Sequence, residues 1–309
     1  MKTQDFDKKE FLHLETPTFV KNTPEGSREY VVPARFEPGK FFVLPQSPQQ
    51  FKQMLMVAGF DKYFQIARCY RDEDPRGDRQ PEFTQVDFEL SFVEQQDILE
   101  LIEEYFMHLS AKFYPNKKIK DEPFPVLTWK EAMDLYGIDK PELRVDNFTF
   151  HEVTEWAKKS DFTVFQQAPC VKALVLPKEM GRSEVEKKYE FLAKSFGSKG
   201  MPWLCLSKEE GLKGSIAKFI DEAALEELKK ITGATEGTTI IFQADTWLKA
   251  CEYLGKLRIE AIKQLDLLKG KEDELAFCFV VEKAKAEAEK KKQEEAEALK
   301  KGEHEKIIA

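Results

Sequence analysis

Two strand-like runs joined by a densely charged loop constrain the fold of this chain more than any other feature. The first run covers Tyr63–Cys69 and the second covers Thr84–Phe92. Polar and apolar positions alternate around the second run, so a strand places its side chains on two faces. One face carries Phe83, Gln85, Asp87 and Glu89, and the other carries Thr84, Val86, Phe88 and Leu90. A polar face on a buried strand often lines a site, so these runs predict a sheet with functional side chains.

The loop between the runs packs basic residues against acidic ones. They are Arg68, Arg71, Arg76 and Arg79 against Asp72, Glu73, Asp74 and Asp78. One interpretation is an exposed hairpin tip whose charges compensate each other in solvent. The other is a polyphosphate site, in which an arginine clamps an α-phosphate and nearby carboxylates orient amine groups. The usual phosphate-loop, dinucleotide, HExxH and GxSxG motifs are missing, so composition alone leaves both interpretations open.

The chain divides into three stretches of different texture. We predict domains at residues 1–149 and 150–270, followed by a returning strand and a Lys/Glu/Ala-rich tail over 271–309. The first stretch contains a further strand at Phe41–Leu44 and a helix at Ser47–Ala58. Ser47 is the predicted N-cap, and Phe51, Leu55 and Ala58 share a face of that helix. The tail from about residue 283 has few apolar side chains, which favours a solvated helix or disorder over a packed element.

The middle stretch has the regular pattern of a compact unit. Ser183 and Glu186 predict a capping box, and Gly197 stands where that helix ends. Helices are predicted at Asp221–Ile231 and Thr246–Leu268, and the segments PWLCLS and TTIIFQA predict strands. The second helix has an apolar face made of Trp247, Ala250, Leu254, Leu257, Ala261 and Leu265. Capped helices and apolar strands at this length predict a segment that folds without the rest of the chain.

Charge and cysteine content exclude few functions. The net charge of -8 argues against a surface coated in positive charge, but a local basic groove remains compatible with it. The five cysteines have no zinc-ligand spacing, which predicts reduced, packed thiols. The amino terminus has no apolar leader and the chain has no long apolar run. We therefore expect a cytoplasmic protein that does not cross a membrane.

The segment FQIARCYRDEDPRGDRQPEFTQVDFEL resembles motif 2 of the class II aminoacyl-tRNA synthetases, in the form of the bacterial aspartyl-tRNA synthetases. The runs LETPTFVKNTPEGSREYVVP and PGKFFVLPQSPQQFKQMLMVAGFDKYFQIARC are similar to the same family. The middle stretch resembles that family's insertion domain through DFTVF, LGKLR and GSKGMPWL. The resemblance implies an α+β fold: an antiparallel sheet of the class II type, incomplete here and flanked by helices, with a smaller inserted α/β domain and a charged helical or disordered tail.

The resemblance also implies site residues. On the amino-acid side, Glu25 binds the ammonium group of aspartate with Gln49 beside it, Lys52 pairs with the side-chain carboxylate, and Asp87 positions Lys52 or the amine. Arg71, the implied catalytic residue, holds the α-phosphate next to the reacting carboxylate. The remaining contacts to ATP come from Asp72, Glu73, Gln80 and Phe83, with Phe83 stacked on adenine. For Asp87, a purely structural hydrogen bond stays an open alternative.

The implied reaction is ATP-dependent formation of aspartyl-adenylate, followed by transfer of the aspartyl group to tRNA. ATP is then a substrate, Mg²⁺ is the implied metal, and we expect this chain to contain no ligands for it. Pro17 matches the proline of motif 1, which lies at the homodimer interface of the family.

We also expect departures from the family pattern. The anticodon-binding barrel, most of the motif 1 helix and the glycine-rich motif 3 have no counterpart in this sequence. The chain therefore reads as a truncated synthetase for which we expect no adenylate formation on its own. The alternative is a non-catalytic module that is derived from a synthetase and binds RNA or protein.

Overall fold

The computed structural model describes residues 9–22, 25–74, 77 and 79–282. It divides into two compact units, residues 1–101 and 102–309. Both units mix helices with antiparallel sheets, so the predicted α+β class is confirmed. Among the described residues, no helix is long and apolar enough to cross a membrane.

The first unit is built on a long antiparallel strand pair. Its elements are β1 (Leu12–His13), β2 (Val31–Pro33), β3 (Phe41–Val43), α1 (Gln49–Val57), β4 (Lys62–Tyr70) and β5 (Glu82–Leu90), followed by the start of α2 (Gln95–Phe113). Strands β4 and β5 are paired along their whole length, and β1 lies parallel to β4 on its other side. Strands β2 and β3 form a separate antiparallel pair. The two strands predicted from the charged segment are confirmed, although β5 ends before Phe92, which is fully exposed.

The start of α1 differs from the prediction. The helix begins at Gln49 with Pro48 as its N-cap residue, and no side chain caps it from that position. The proline ring suits the entry to a helix, because its fixed φ is preorganised and its missing N–H would have no partner there. Ser47 nevertheless contributes, since its Oγ accepts a hydrogen bond from the Gln49 N–H at 3.2 Å. The predicted apolar face is half-buried at Phe51 and Leu55 and exposed at Ala58.

The second unit contains a five-stranded antiparallel sheet with helices on both faces. The strands of the second unit are β6 (Lys118–Ile119), β7 (Val126–Thr128), β8 (Phe150–Glu152), β9 (Cys170–Leu176), β10 (Trp203–Ser207), β11 (Gly211–Gly214), β12 (Thr238–Asp245), β13 (Glu274–Leu275) and β14 (Phe279–Val281). Its helices are α3 (Trp129–Tyr136), α4 (Thr154–Lys158), α5 (Thr163–Gln167), α6 (Arg182–Glu184), α7 (Phe191–Ser195), α8 (Glu222–Thr232) and α9 (Trp247–Gln264), with a π-helix at Val185–Glu190 and a 3₁₀ turn at Ala217–Phe219. The sheet order is β11–β10–β12–β9–β8.

Two apolar cores lie on opposite faces of this sheet, as strand alternation requires. In β12, Ile241 joins one core, whereas Ile240 and Phe242 join the other. Helix α9 covers the first core with Leu254 and Leu257, so the apolar face predicted from its spacing is confirmed. All five cysteines are unpaired. Burial raises the pKa of the Cys251 thiol to about 12 and that of the Cys69 thiol to about 11.

The predicted capping box at Ser183 is wrong. The N-cap residue is Gly181, two residues before Ser183, so the helix begins at Arg182, and no side chain caps it. Glu186, the expected partner of Ser183, instead accepts from Arg182 Nε at 2.7 Å, and the helix widens into a π-helix at Val185. The predicted end is confirmed, because Gly197 follows the last helical residues with a φ of +98°.

The returning strand predicted at the start of 271–309 is two short strands. Strand β13 pairs parallel with β6, and β14 pairs parallel with β7. The predicted tail from residue 283 lies outside the described residues.

Buried charges join residues 129–148 to the five-stranded sheet and its long helix. Lys172 on β9 binds Asp134 on α3, and the guanidinium of Arg258 on α9 donates to the carbonyls of Phe148 and Glu142. These contacts cross residue 150, where the sequence predicts a domain boundary. The boundaries at 149 and 270 stay a prediction.

A close backbone approach makes Gly255 on α9 intolerant of a side chain. A Cβ at this position would lie 2.5 Å from the carbonyl oxygen of Gly137, a backbone atom that cannot turn away. We expect Gly255→Ala to lower the free energy of unfolding by about 2 kcal/mol, because overpacking outweighs alanine's helix preference. Thermal denaturation measures the loss. Gly200→Ala is the control, since nothing lies within 4 Å of its Cβ, and equal stabilities of the two variants would contradict the prediction.

Candidate functional site

The polar face of β5 meets α1 at a charged cluster in the first unit. Lys52 Nζ donates to Asp87 Oδ1 at 2.9 Å and to the carbonyl of Phe88 at 3.3 Å, and it pairs with Glu89 Oε2 at 3.3 Å. The side chains of Lys52 and Asp87 are only 12% and 9% exposed. One ammonium between two carboxylates leaves this cluster with one formal negative charge in excess.

Burial shapes the electrostatics of the cluster. It raises the pKa of Asp87 above its ordinary value, although the hydrogen bond and positive charge of Lys52 oppose the rise. The pKa of the Tyr63 phenol is also raised, first by burial and then by the charge of Asp87. The Tyr63 hydroxyl therefore stays protonated and donates to Gln65 Oε1 at 2.7 Å. A partly desolvated site with excess negative charge favours a bound ammonium group.

The loop that carries Glu25 is held against the segment that precedes α1. Ser47 Oγ donates to the Glu25 carboxylate, with distances of 2.9 and 2.8 Å to its two oxygens. Gln46 is hydrogen-bonded to the backbone of Ser27. A cavity of about 410 Å³ opens between this loop, Gln46 and Asp72. Glu25 and Gln49 therefore share one neighbour, Ser47, although their side chains form no hydrogen bond with each other.

Arg71 directly follows β4 and is half-buried. Its Nε donates to the carbonyl of Gln46 at 3.4 Å, and its guanidinium carbon lies 5.1 Å from the centroid of the Phe83 ring. Over the described residues, no carboxylate lies within ion-pair distance of this arginine. A half-buried guanidinium that is supported by a carbonyl and an aromatic ring is suited to an anionic ligand.

The other predicted nucleotide contacts lie further out. Asp72 forms an isolated bridge with Arg28, and their side chains are 3.7 Å apart at the closest N–O pair. Glu73 pairs with Arg79 at 3.3 Å in an exposed position, and Gln80 is exposed. The structure thus brings Lys52 to Asp87 and Arg71 to Phe83, but it does not join Glu73 or Gln80 to either group.

Sequence reasoning missed Gln46, assigned Ser47 only to helix capping and gave Glu89 no role. Glu89 could have been found, because it shares the polar face of β5 with Asp87. Gln46 carried no local signal, since its partner Ser27 lies 19 residues away in the chain. Within the described ranges, no group of three or more His, Cys, Asp or Glu side chains could hold a metal ion.

Comparisons with known proteins agree with one another. The family model described as tRNA synthetases class II (D, K and N) matches residues 2–304. An aspartate–tRNA(Asp/Asn) ligase of Chlorobium phaeobacteroides is 43% identical over 282 residues, which is 89% of this chain and 45% of the relative. An aspartate–tRNA(Asp) ligase of Deinococcus radiodurans is 44% identical over 268 residues, covering 87% of this chain and 45% of the relative. An aspartate–tRNA ligase of Clostridium acetobutylicum is 45% identical over 291 residues, covering 90% and 47%. The chain thus spans about half the length of the curated relatives it matches.

Proposed function

The chain belongs to the class II tRNA synthetases of the D, K and N type. We propose that it functions as part of an aspartate–tRNA ligase. The proposed activity is ATP-dependent activation of L-aspartate followed by transfer to tRNA. The names of the relatives support the choice of aspartate. The observation that carries the proposal is Arg71, a half-buried arginine with no carboxylate partner among the described residues, braced by the Gln46 carbonyl and the Phe83 ring.

The activation step needs no nucleophilic side chain. An oxygen of the aspartate α-carboxylate attacks the α-phosphorus of ATP, and the bond from that phosphorus to the bridging oxygen of pyrophosphate breaks. Arg71 stabilises the charge that builds up on the phosphoryl oxygens and holds the two anionic reactants together. Positioning and charge stabilisation are the main sources of rate in such transfers.

The charged cluster on α1 and β5 suits the amino acid. Asp87 and Glu89 supply negative charge for the α-ammonium group, which Glu25 approaches from its loop. Lys52 supplies the positive charge for the substrate's side-chain carboxylate, and Gln49 lies one helical turn before it on the same face. In this proposal Asp87 keeps Lys52 in place, since it holds the Nζ at 2.9 Å.

The nucleotide contacts follow from the same arrangement. Phe83 offers a ring for the adenine base, and Gln80, Glu73 and Asp72 would contact the nucleotide from the segment between β4 and β5. Mg²⁺ commonly reaches such sites bound to the phosphates and water of ATP. The described residues present no three-ligand group for it, so we assign no step to the metal.

The proposal extends to partners. A ribose hydroxyl at the 3′ end of tRNA attacks the carbonyl carbon of the adenylate, the bond from that carbon to the phosphate oxygen breaks, and AMP leaves. We also propose the homodimer of the family, with Pro17 near its interface, and a cytoplasmic location, where charged tRNA is consumed by translation.

The experiment replaces the matched segment of the Deinococcus radiodurans relative with the residues of this chain. We expect the chimaera to exchange labelled pyrophosphate into ATP when aspartate is added, and not with asparagine or lysine. The unmodified relative is the positive control. A folded chimaera that shows no aspartate-dependent exchange, beside an active relative, would contradict the proposal.

A further inference from the structure

Gln46 lies in the segment between β3 and α1 and is 1% exposed. Its side-chain amide is paired with one backbone unit: Oε1 accepts from the Ser27 N–H at 3.2 Å, and Nε2 donates to the Ser27 carbonyl at 3.1 Å. Both ends of the amide are thus used to hold the loop that carries Glu25. A buried side chain with its donor and its acceptor on the same residue resists rotation better than one with a single hydrogen bond.

The same short segment also holds Arg71 and Glu25. The main-chain carbonyl of Gln46 accepts from Arg71 Nε, and the next residue, Ser47, donates to the Glu25 carboxylate. One dipeptide therefore contacts both sides of the proposed site. The loop is also attached through the bridge between Arg28 and Asp72, in which the Arg28 side chain is exposed.

We propose that Gln46 is a positioning residue that sets the separation between the ammonium-binding Glu25 and the phosphate-binding Arg71. This inference rests on the proposed function for the identity of the two ligand groups, but the tether itself does not. Gln46 touches neither substrate in this scheme. It acts by holding Ser27, and with it Glu25, against the segment that precedes α1, whereas its backbone carbonyl supports Arg71 whatever side chain the residue carries.

The tether is tested first on the chain as it exists. Gln46→Met keeps nearly the same length and volume and removes both hydrogen bonds to Ser27. We expect amide hydrogen exchange at Ser27 and its neighbours to become about tenfold faster, because two hydrogen bonds no longer oppose loop opening. Exchange in β4 and β5 should stay unchanged. The matched control is Gln53→Met on α1, where the glutamine is exposed.

A second variant separates hydrogen bonding from packing. In Gln46→Glu the neutral acid has an O–H donor for the Ser27 carbonyl and an acceptor for the Ser27 N–H, whereas the carboxylate repels that carbonyl. The ratio of variant to native exchange at Ser27 should therefore fall towards one between about pH 8 and about pH 5, because burial favours the neutral acid. Side-chain volume alone predicts no such pH dependence.

In the chimaera, Gln46→Met should raise the KM for aspartate about tenfold and leave the KM for ATP within about twofold. General structural damage would raise both. Two results would contradict the proposed tether between Gln46 and Ser27. One is an amide exchange rate at Ser27 in Gln46→Met equal to that of the native chain. The other is a ratio of variant to native exchange rates in Gln46→Glu that does not change with pH. Equal rises in both KM values would overturn the positioning role. An inactive chimaera with faster Ser27 exchange would count against the proposed function and leave the tether standing.

Discussion

Replacing Arg71 with alanine in the chimaera should lower aspartate-dependent pyrophosphate exchange by about 10²–10³-fold, the usual cost of losing one donor to a developing anion. The effect should fall mainly on kcat, because the guanidinium is needed most where charge builds up during transfer. Arg71→Lys should recover only a small part of the rate. Lysine keeps the positive charge but lacks the planar fork that holds two oxygens, and it lacks the stacking on Phe83.

Arg68 provides the matched control for this prediction. It lies on β4 three residues before Arg71, is 55% exposed and pairs with Glu82 at 3.2 Å. Arg68→Ala removes an equal charge three residues away, and we expect exchange to stay within about twofold of the starting rate. Equal losses in the two variants would mean that net charge near β4 matters and that Arg71 has no special position.

Asp134→Ala should destabilise the second unit by about 3–5 kcal/mol, because it leaves a buried cation without its main partner. Lys172 is 2% exposed, and its Nζ lies 2.9 Å from Asp134 Oδ1 and 3.3 Å from Glu152 Oε2. The same Asp134 oxygen accepts from Trp247 Nε1 at 2.6 Å. Glu152 is half exposed and cannot replace these contacts. Chemical denaturation, monitored by tryptophan fluorescence, measures the change in the free energy of unfolding.

Two further variants test why Asp134→Ala is expected to lose stability. Adding Lys172→Met to Asp134→Ala should recover part of the stability, since an apolar chain has no charge to desolvate. Glu227→Ala is the surface control: its pair with Lys159 is exposed on both sides, and we expect a change below about 1 kcal/mol. No recovery in the double variant would show that lost packing, and not the unpaired cation, causes the effect.

The Asp134 contribution should also depend on pH. Burial raises the pKa of this carboxyl, but hydrogen bonds from Lys130, Lys172 and Trp247 outweigh it, and the net pKa lies below its ordinary value of 3.8. A lowered pKa in the folded state stabilises the fold above the unfolded value, and this stabilisation is lost as the pH falls through the folded pKa. Below about pH 4 the stability difference between the native chain and Asp134→Ala should therefore narrow.

The local features of the fold could be predicted because their causes are local. Strands β4 and β5 follow from alternation and from the charged loop that joins them, and the buried face of α9 follows from helical spacing. The helix stop at Gly197 follows from a glycine's access to positive φ. Helix starts were predicted less well. At Ser183 the expected partner Glu186 binds Arg182 instead. At Ser47 the hydroxyl accepts from the Gln49 N–H while it donates to Glu25, but the helix begins one residue later than predicted, with Pro48 as its N-cap residue.

The sequence by itself determined the main strands, because side-chain period and turn chemistry act over a few residues. The α+β class and the residues of the candidate site were predicted from the resemblance of motif 2 and its flanking segments to the class II synthetases. Only the tertiary structure decided which of those residues meet. Gln46 reaches Ser27 across 19 residues and Lys172 reaches Asp134 across 38. Such contacts depend on the geometry of the packed chain, where a buried amide or ammonium must find a partner or lose the fold.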